Sequence, residues 1–327
     1  MSRPLDLPSL LPGERVQDTL LVLDAEQKAY DSGPCTVLTF ANSSGRLVSA
    51  PFWDRDQSMV EGVRKGHMVQ VLGEVADFRG RRQLKVSSLR LLPANPRDLS
   101  RLLPSVGEID RYWETLDGWR REIAKPRLAA VIALFYEDAD FRRQYGQCPA
   151  SIAGHHAALG GLLKHTVEVA AIARTIARAA GADPELVLAG VLLHDIGKLE
   201  AYRWDSVFEY TEAHYLIGHV TLGALRLQRV LDAQPQPVCT PEERALLLHL
   251  ILAHHGRLEY GSPVLPLTLE AEVIHWADNA SAKTASMAEA LHDADAFGEG
   301  PVSQRRFWQL DNRRPYRGTS DWGAASS

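Results

Sequence analysis

The chain has 327 residues and a formal net charge of −5. That length holds two domains with separate cores, and the charge excludes a protein that coats nucleic acid by bulk attraction. With 45% hydrophobic and 24% charged residues the composition is globular, and Cys35, Cys148 and Cys239 lack the spacing of a disulfide scaffold or a thiolate zinc site. The opening stretch MSRPLDLPSLLPGERV has no long apolar segment. No run approaches the roughly 18 apolar residues of a membrane span, so a cytoplasmic protein with no membrane partner is expected.

Residues 12–93 read as all-β. TLLVLDAEQ, CTVLTFANSSG, GRLVSAPFW, HMVQVLGEV and RQLKVSSLRLL are five short runs rich in Val, Leu and Thr, broken by Gly, Asn, Ser and Asp. Alternation in the third sends Phe52 and Trp53 to opposite faces. A short helix over 56–64 after the third strand gives the order of an OB-fold barrel, with an SH3-like barrel as the rival. Arg79, Arg81 and Arg82 surround a Gly turn between the last two strands, where OB-folds hold single strands, and Phe40, Phe52, Trp53 and Phe78 are candidates to stack bases.

Residues 94–125 form a proline-containing helical connector whose Trp113 and Trp119 are expected to pack on a neighbouring domain. Residues 126–296 read as consecutive helices. In GGLLKHTVEVAAIARTIARAAG, Leu162, His165, Val169, Ile172 and Ile176 share a stripe that ends at Gly181. DPELVLAGVLLHDIG opens with Asp183 as N-cap and Pro184 at the first position, and Gly197 follows its end. TPEERALLLHLILAHHG opens with a capping box on Thr240 and Glu243 and stops at Gly256. TLEAEVIHWADNASAKTASMAEALH is a further long helix, and 297–327 is a tail. The expected class is therefore multi-domain: a five-stranded OB-fold barrel followed by an all-α domain.

Eleven of the twelve histidines fall between His155 and His292. His165 lies on the inward stripe of its helix, His194 and Asp195 end the next, His219 follows in LIGHVTLG, His254 and His255 end the capped helix, and Asp278 sits in VIHWADNASA. An unpaired buried carboxylate is very costly, and a divalent metal satisfies imidazole and carboxylate donors together. Adjacent helix residues point about 100° apart, so His194 and Asp195 serve one centre only at a helix end. Asp195 could bridge two metals while His194 holds one. Of His254 and His255, one is an expected ligand and the other conditional. These donors suit Mn²⁺, Fe²⁺ or Co²⁺, with Mg²⁺ and Zn²⁺ as further candidates. Two ions roughly 3.5–4 Å apart would clamp a phosphate and activate water. Lys198, three residues past Asp195, is placed to reach a phosphate oxygen, and Asp195 and Lys198 are the expected catalytic pair.

His165, His194-Asp195 and Asp278 match the H…HD…D pattern of the HD metal-dependent phosphohydrolase superfamily. Within it the chain resembles the YhaM-type 3′-to-5′ exoribonucleases over almost its whole length. WDRDQ, DFRGRRQLKV, HHAALGGLLKHT, LLHDIGK, LAHHGRLEYGSP, EAEVIHWADN and QLDNRRPY carry the resemblance. It implies attack at the 3′-terminal phosphodiester of single-stranded RNA, with single-stranded DNA a further candidate, and release of nucleoside monophosphates with Mn²⁺ or a similar metal. Ligand roles carry over to His165, His194, Asp195 and Asp278, and extend to His219 and His254, leaving His255 conditional. The pair His155-His156 is assigned to substrate contact beside an alternative structural role. A homo-oligomer is compatible with the sequence. The rival functions are an HD-domain nucleotide phosphohydrolase, which needs no strand-binding barrel, and a non-catalytic single-strand-binding adaptor, which needs no metal.

Overall fold

The computed structural model describes residues 5–318 apart from 31–32, 79, 94, 155, 294–295 and 299, and only the backbone of 96–97. Arg79 and His155 therefore lie outside the described residues. The chain divides into two compact units, the first formed by residues up to Pro104 with those from Lys283 onward, the second by Ser105–Ala282.

The first unit is built on five strands: β1 (Arg15–Tyr30), β2 (Gly33–Asn42), β3 (Gly45–Val48), β4 (Met68–Asp77) and β5 (Arg82–Leu92), in the sheet order β3-β2-β1-β4-β5. The length of β1 closes the figure. Its first half, to Leu21, pairs antiparallel with β4, and from Leu21 onward it pairs with β2, with an irregularity between Val22 and Asp24. A bulge bends a strand and increases its twist, so one strand serves two directions of the barrel. The seam is shut by a parallel bridge of Ser49 to Leu84, with Ala50 N–H donating to the Leu84 carbonyl at 2.9 Å. A short 3-10 turn (Asp54–Asp56) and the helix α1 (Gln57–Val60) follow the third strand. This is the OB-like arrangement expected, with a shorter helix than read.

Alternation along β4 buries Val69, Val71 and Val75 and turns Gln70, Leu72 and Glu74 outward. Phe40 and Phe52 are core residues, 0% and 4% exposed, so neither ring is presented to a base. Regular β3 stops at Val48, earlier than expected, yet Phe52 still pairs with Thr36 and stays inside. Trp53 is half-buried, edge-on to Tyr30 at 5.9 Å. Helix α2 (Pro96–Leu102) completes the segment that follows the barrel.

The second unit is helical: α3 (Ile109–Arg120), α4 (Pro126–Tyr136), α5 (Ala139–Tyr145), α6 (Gly161–Ala180), α7 (Pro184–Leu193), α8 (Lys198–Ala201), α9 (Glu212–Ile217), α10 (His219–Asp232), α11 (Pro241–Ala253) and the first part of α12 (Leu269–His292), with a two-stranded ribbon, β6 (Tyr202–Arg203) and β7 (Glu209–Tyr210). Local signals act as read. The Asp183 carboxylate accepts from the N–H groups of Glu185 and Leu186, and Thr240 and Glu243 form a reciprocal capping box. The stripe on α6 is rotated from the one expected. His165 and Val169 are buried, but Ala173 and Ala177 carry it on, while Ile172 and Ile176 are half-buried. Every residue from Val187 to Leu199 is buried. A helix apolar on all sides has to be surrounded, and this one carries its C-terminal end into the interior.

Trp113 and Trp119 pack on the helical unit's own core. Arg142 stacks 4.0 Å over the Trp113 ring and makes two parallel hydrogen bonds of 2.9 Å to Asp117. Burial would raise the Asp117 carboxyl, but Arg142 and Arg120 hold it below its ordinary value. Its folded pKa is thus depressed, so this pair stabilises the fold above the ordinary value of 3.8, and the contribution is lost as pH falls through the folded value. In Asp117→Asn, thermal unfolding should shift down at neutral pH by the equivalent of about 1–3 kcal/mol, and the difference from the parent protein should shrink below pH 3.8.

Candidate metal centre

Helices α6, α7, α11 and α12, with the first residue of α10, bring His165, His194, Asp195, His219, His254 and Asp278 together within the second unit. Asp195 is at the middle and 1% exposed. Its Oδ2 faces His194 Nε2 at 3.2 Å and His165 Nε2 at 3.5 Å. Its Oδ1 faces His219 Nε2 at 3.5 Å and His254 Nε2 at 3.7 Å. Asp278 Oδ1 joins the first side, 3.0 Å from His165 Nε2 and 3.9 Å from His194 Nε2. One carboxylate thus divides two sets of donors. His165, His194 and Asp195 offer donor atoms within 4.8 Å of one another, and His219, His254 and His255 do the same.

The ring states suit a metal. His194 Nδ1 and His254 Nδ1 lie 2.6 and 2.7 Å from the carbonyls of Val191 and Ile251, one turn back on their own helices. A carbonyl only accepts, so both rings carry the proton on Nδ1 and turn the lone pair of Nε2 to the centre. His255 Nδ1 meets the Tyr260 carbonyl at 2.6 Å in the same way. Asp195 Oδ1 and the Nε2 atoms of His219 and His254 are buried without a hydrogen-bond partner among the described residues. Orphaned buried polar atoms are expensive, and three facing one another on this side of the carboxylate fit a divalent cation.

The electrostatics agree. Burial favours neutral imidazole, drawing His254 down to about 3 and His219 well below its ordinary value. Burial also lowers His165 against the pull of Asp278. At His194 the two carboxylates outweigh burial and raise the ring. Burial works against the charge of Asp195 and of Asp278. Lys198 and His194 overcome it at the first, and His165 at the second, holding both below the usual carboxylate range.

Lys198 is 7% exposed, with Nζ 2.6 Å from Asp195 Oδ2, and Asp195 and neighbouring Tyr202 hold it above its ordinary value against burial. The lysine therefore supplies the counter-charge for the central carboxylate. Gly197 has a different role from the helix stop expected. Its φ is an ordinary −71°, but a Cβ there would lie 2.0 Å from the His219 carbonyl oxygen and 2.3 Å from Gly223 N. The start of α10 lies directly on this glycine, and that contact sets His219 against Asp195.

His156 is buried, and its Nε2 lies 2.7 Å from Glu168 Oε2. His249, His275 and His292 have structural partners: the Leu267 N–H, the His254 carbonyl and the Ala288 carbonyl. Three residues beside the centre, Glu168, Ser281 and His214, were not expected from the sequence. Glu168 accepts from Ser281 Oγ at 3.0 Å, and Ser281 Oγ lies 3.1 Å from His165 Nδ1. His214, stacked on Tyr210 at 3.7 Å, runs parallel to the His219 ring at 6.2 Å. Only its place four residues after a ribbon strand, inside a Thr211-capped turn, was there to be read.

In the barrel, Arg81 is exposed on the β4–β5 hairpin and Phe78 is 57% exposed. Arg82 is committed elsewhere: its guanidinium donates to the carbonyls of Pro8 and Leu10 at 2.6 and 2.9 Å, tying the N-terminal segment to the hairpin.

The fold and the divided His/Asp centre define a metal-dependent phosphohydrolase of the HD superfamily, and the model of the HD domain family matches residues 162–283. Among curated proteins, the chain is 30% identical over 313 residues to the 3′-5′ exoribonuclease YhaM of Bacillus subtilis (strain 168), covering 94% of this chain and 96% of that protein. It is 29% identical to the YhaM proteins of Bacillus velezensis, over 94% of this chain and 96% of the relative, and of Oceanobacillus iheyensis, over 93% and 94%. The chain belongs to the YhaM 3′-5′ exoribonuclease family.

Gly197→Ala should destabilise the fold by about 1–3 kcal/mol or more, because only backbone stands in the way of the new methyl. Calorimetric unfolding checks this, and a melting temperature equal to the parent's would contradict the contact.

Proposed function

We infer that this chain is a divalent-metal-dependent 3′-5′ exoribonuclease that removes nucleoside monophosphates from the 3′ end of single-stranded RNA. The observation that carries the reading is Asp195, a buried carboxylate whose two oxygens face two separate sets of imidazole nitrogens, in a chain related to YhaM over nearly its full length. His165, His194, Asp195 and Asp278 would hold one ion, and Asp195, His219 and His254 a second, with His255 at its outer edge. Mn²⁺ is the proposed metal, ahead of Fe²⁺, Co²⁺, Mg²⁺ and Zn²⁺, because every donor is imidazole or carboxylate. Bound there, such ions polarise a phosphoryl oxygen and lower the pKa of water.

The protein's own groups prepare that step. Val191 and Ile251 keep two Nε2 atoms unprotonated through their carbonyls. Lys198 offsets the charge of Asp195 without competing for the metal, since an ammonium has no lone pair. Its direct contact with Asp195 favours this positioning role over direct phosphate contact. Buried His156 is paired with Glu168 at 2.7 Å and its ring lies beside that of His165, which favours a supporting role over RNA contact. Among the described residues no helix is long and apolar enough to cross a membrane, and action in the cytoplasm is part of the proposal.

The barrel supports a polymer over a free nucleotide as substrate. Arg81, Phe78 and Trp53 are the groups it offers to a strand, the first by phosphate attraction and the other two by stacking. Single-stranded DNA would meet the same groups. Arg81→Ala should weaken RNA binding and reduce the slope of log K against log salt by about 0.7, the value for one phosphate contact to a single strand. Arg82→Ala should instead lower the melting temperature by loosening the N-terminal segment. Equal salt slopes in Arg81→Ala and the parent protein would remove Arg81 from the interface.

Asp195→Ala would strand the Lys198 ammonium in the interior, a loss of about 3–5 kcal/mol for a buried pair. The double variant Asp195→Asn/Lys198→Met removes both charges. It should fold and bind a 3′-labelled oligoribonucleotide, yet degrade it at least about 10³-fold more slowly, as expected when a metal clamp and its activated water are lost. Chelation of the parent enzyme should abolish degradation, and Mn²⁺ should restore it. Undiminished degradation after metal removal, or turnover of a nucleotide panel in place of RNA, would overturn the proposal.

A further inference from the structure

His165 differs from the other inward histidines in how its far nitrogen is held. His194 and His254 each meet a main-chain carbonyl, which fixes the proton on Nδ1. His165 Nδ1 meets a hydroxyl, Ser281 Oγ, at 3.1 Å. A hydroxyl both donates and accepts, so by itself it leaves the ring state open. The ambiguity is resolved one bond further out. Ser281 has one proton, and its Oγ lies 3.0 Å from Glu168 Oε2. An ionised carboxylate only accepts, so the serine proton goes to Glu168 and the serine oxygen must accept from His165 Nδ1–H. That leaves the Nε2 lone pair of His165 for a cation that would be shared with Asp195 and Asp278, whose oxygens lie 3.5 and 3.0 Å from it.

Glu168 is kept ionised by its surroundings. His156 Nε2 lies 2.7 Å from the same oxygen, and Lys164 Nζ lies 3.9 Å from the other. Glu168 is one turn after His165 on α6, and Ser281 is on α12, so the contact also joins the two helices that present His165 and Asp278.

We propose that Glu168 is a positioning residue that sets the ring state of His165 through the Ser281 hydroxyl. The proposal deepens the exoribonuclease reading and rests on His165 being a metal ligand there. Ligating histidines with a carboxylate behind them bind metal more tightly, and removal of such outer partners weakens affinity by about 10–100-fold.

The test is carried out on the full chain labelled with ¹⁵N-histidine. Long-range ¹⁵N–¹H spectra of the metal-free protein report which ring nitrogen of His165 carries the proton, with His165→Asn providing the assignment. The parent protein should show His165 protonated on Nδ1. In Glu168→Gln the amide can turn its N–H groups to Ser281, the hydroxyl can then donate to His165, and a share of the ring population should move its proton to Nε2. Mn²⁺ affinity, measured by competition with a chromogenic chelator, should fall about tenfold or more. Loss of one negative charge alone would weaken the metal but leave the ring state unchanged, so the spectrum separates positioning from bulk electrostatics. A folded Glu168→Gln with His165 still wholly on Nδ1 would overturn the proposal. Should that variant not fold, Ser281→Ala takes its place: a mixed ring state supports the relay, and an unchanged one overturns it. A parent protein with the expected ring state that leaves 3′-labelled RNA intact would sink the exoribonuclease reading alone.

Discussion

A carboxylate buried to 1% exposure in the middle of an apolar helical unit is the constraint around which this structure is arranged. An isolated charge at that depth would cost several kcal/mol even after relaxation. The surroundings answer it in layers. Lys198 brings the opposite charge to 2.6 Å, and imidazole nitrogens stand 3.2–3.7 Å away on both sides. The rest follows from placing those groups. Helix α7 must be apolar on every side to carry Asp195 inward, α10 must begin close enough to offer His219, and α11 and α12 must present His254 and Asp278. The carbonyls, hydroxyl and carboxylate behind the rings then fix which nitrogen faces inward.

Features settled by neighbours in sequence were legible from it. The Asp183-Pro184 start of α7, the Thr240–Glu243 box and the five strand segments depend on contacts a few residues apart. The His and Asp positions were legible because each places a polar group where its helix has an apolar stripe. What escaped has the opposite character. Glu168 reads as an ordinary surface residue of an amphipathic helix, and nothing in its vicinity points to Ser281, 113 residues away. The α6 stripe turned toward Ala173 and Ala177 because small residues permit close packing, which hydrophobicity alone does not register.

Spacing was right about distance and silent about direction. Lys198, three residues after Asp195, does lie at the His/Asp cluster, but its ammonium turns back to the carboxylate. The three arginines of the barrel hairpin looked equivalent as a cluster. Arg82 caps the carbonyls of Pro8 and Leu10, while Arg81 is left to solvent. A positive cluster in a sequence is thus a set of candidates, and long-range backbone acceptors decide which of them remain available to a partner.

Gly197 carries a consequence for how such a chain can diverge. The space a side chain would occupy is already filled by the backbone of α10, at His219 and Gly223. Any coding change that replaces this glycine introduces a Cβ, and no rotamer moves a Cβ aside. The constraint is therefore the same for every replacement, whatever its size or charge, and the position beside the His-Asp doublet is closed to a single-step change. To leave glycine there, a descendant would first have to shift α10 and so withdraw His219 from Asp195. The glycine beside the doublet is held in place by backbone volume, where the doublet itself is held by chemistry.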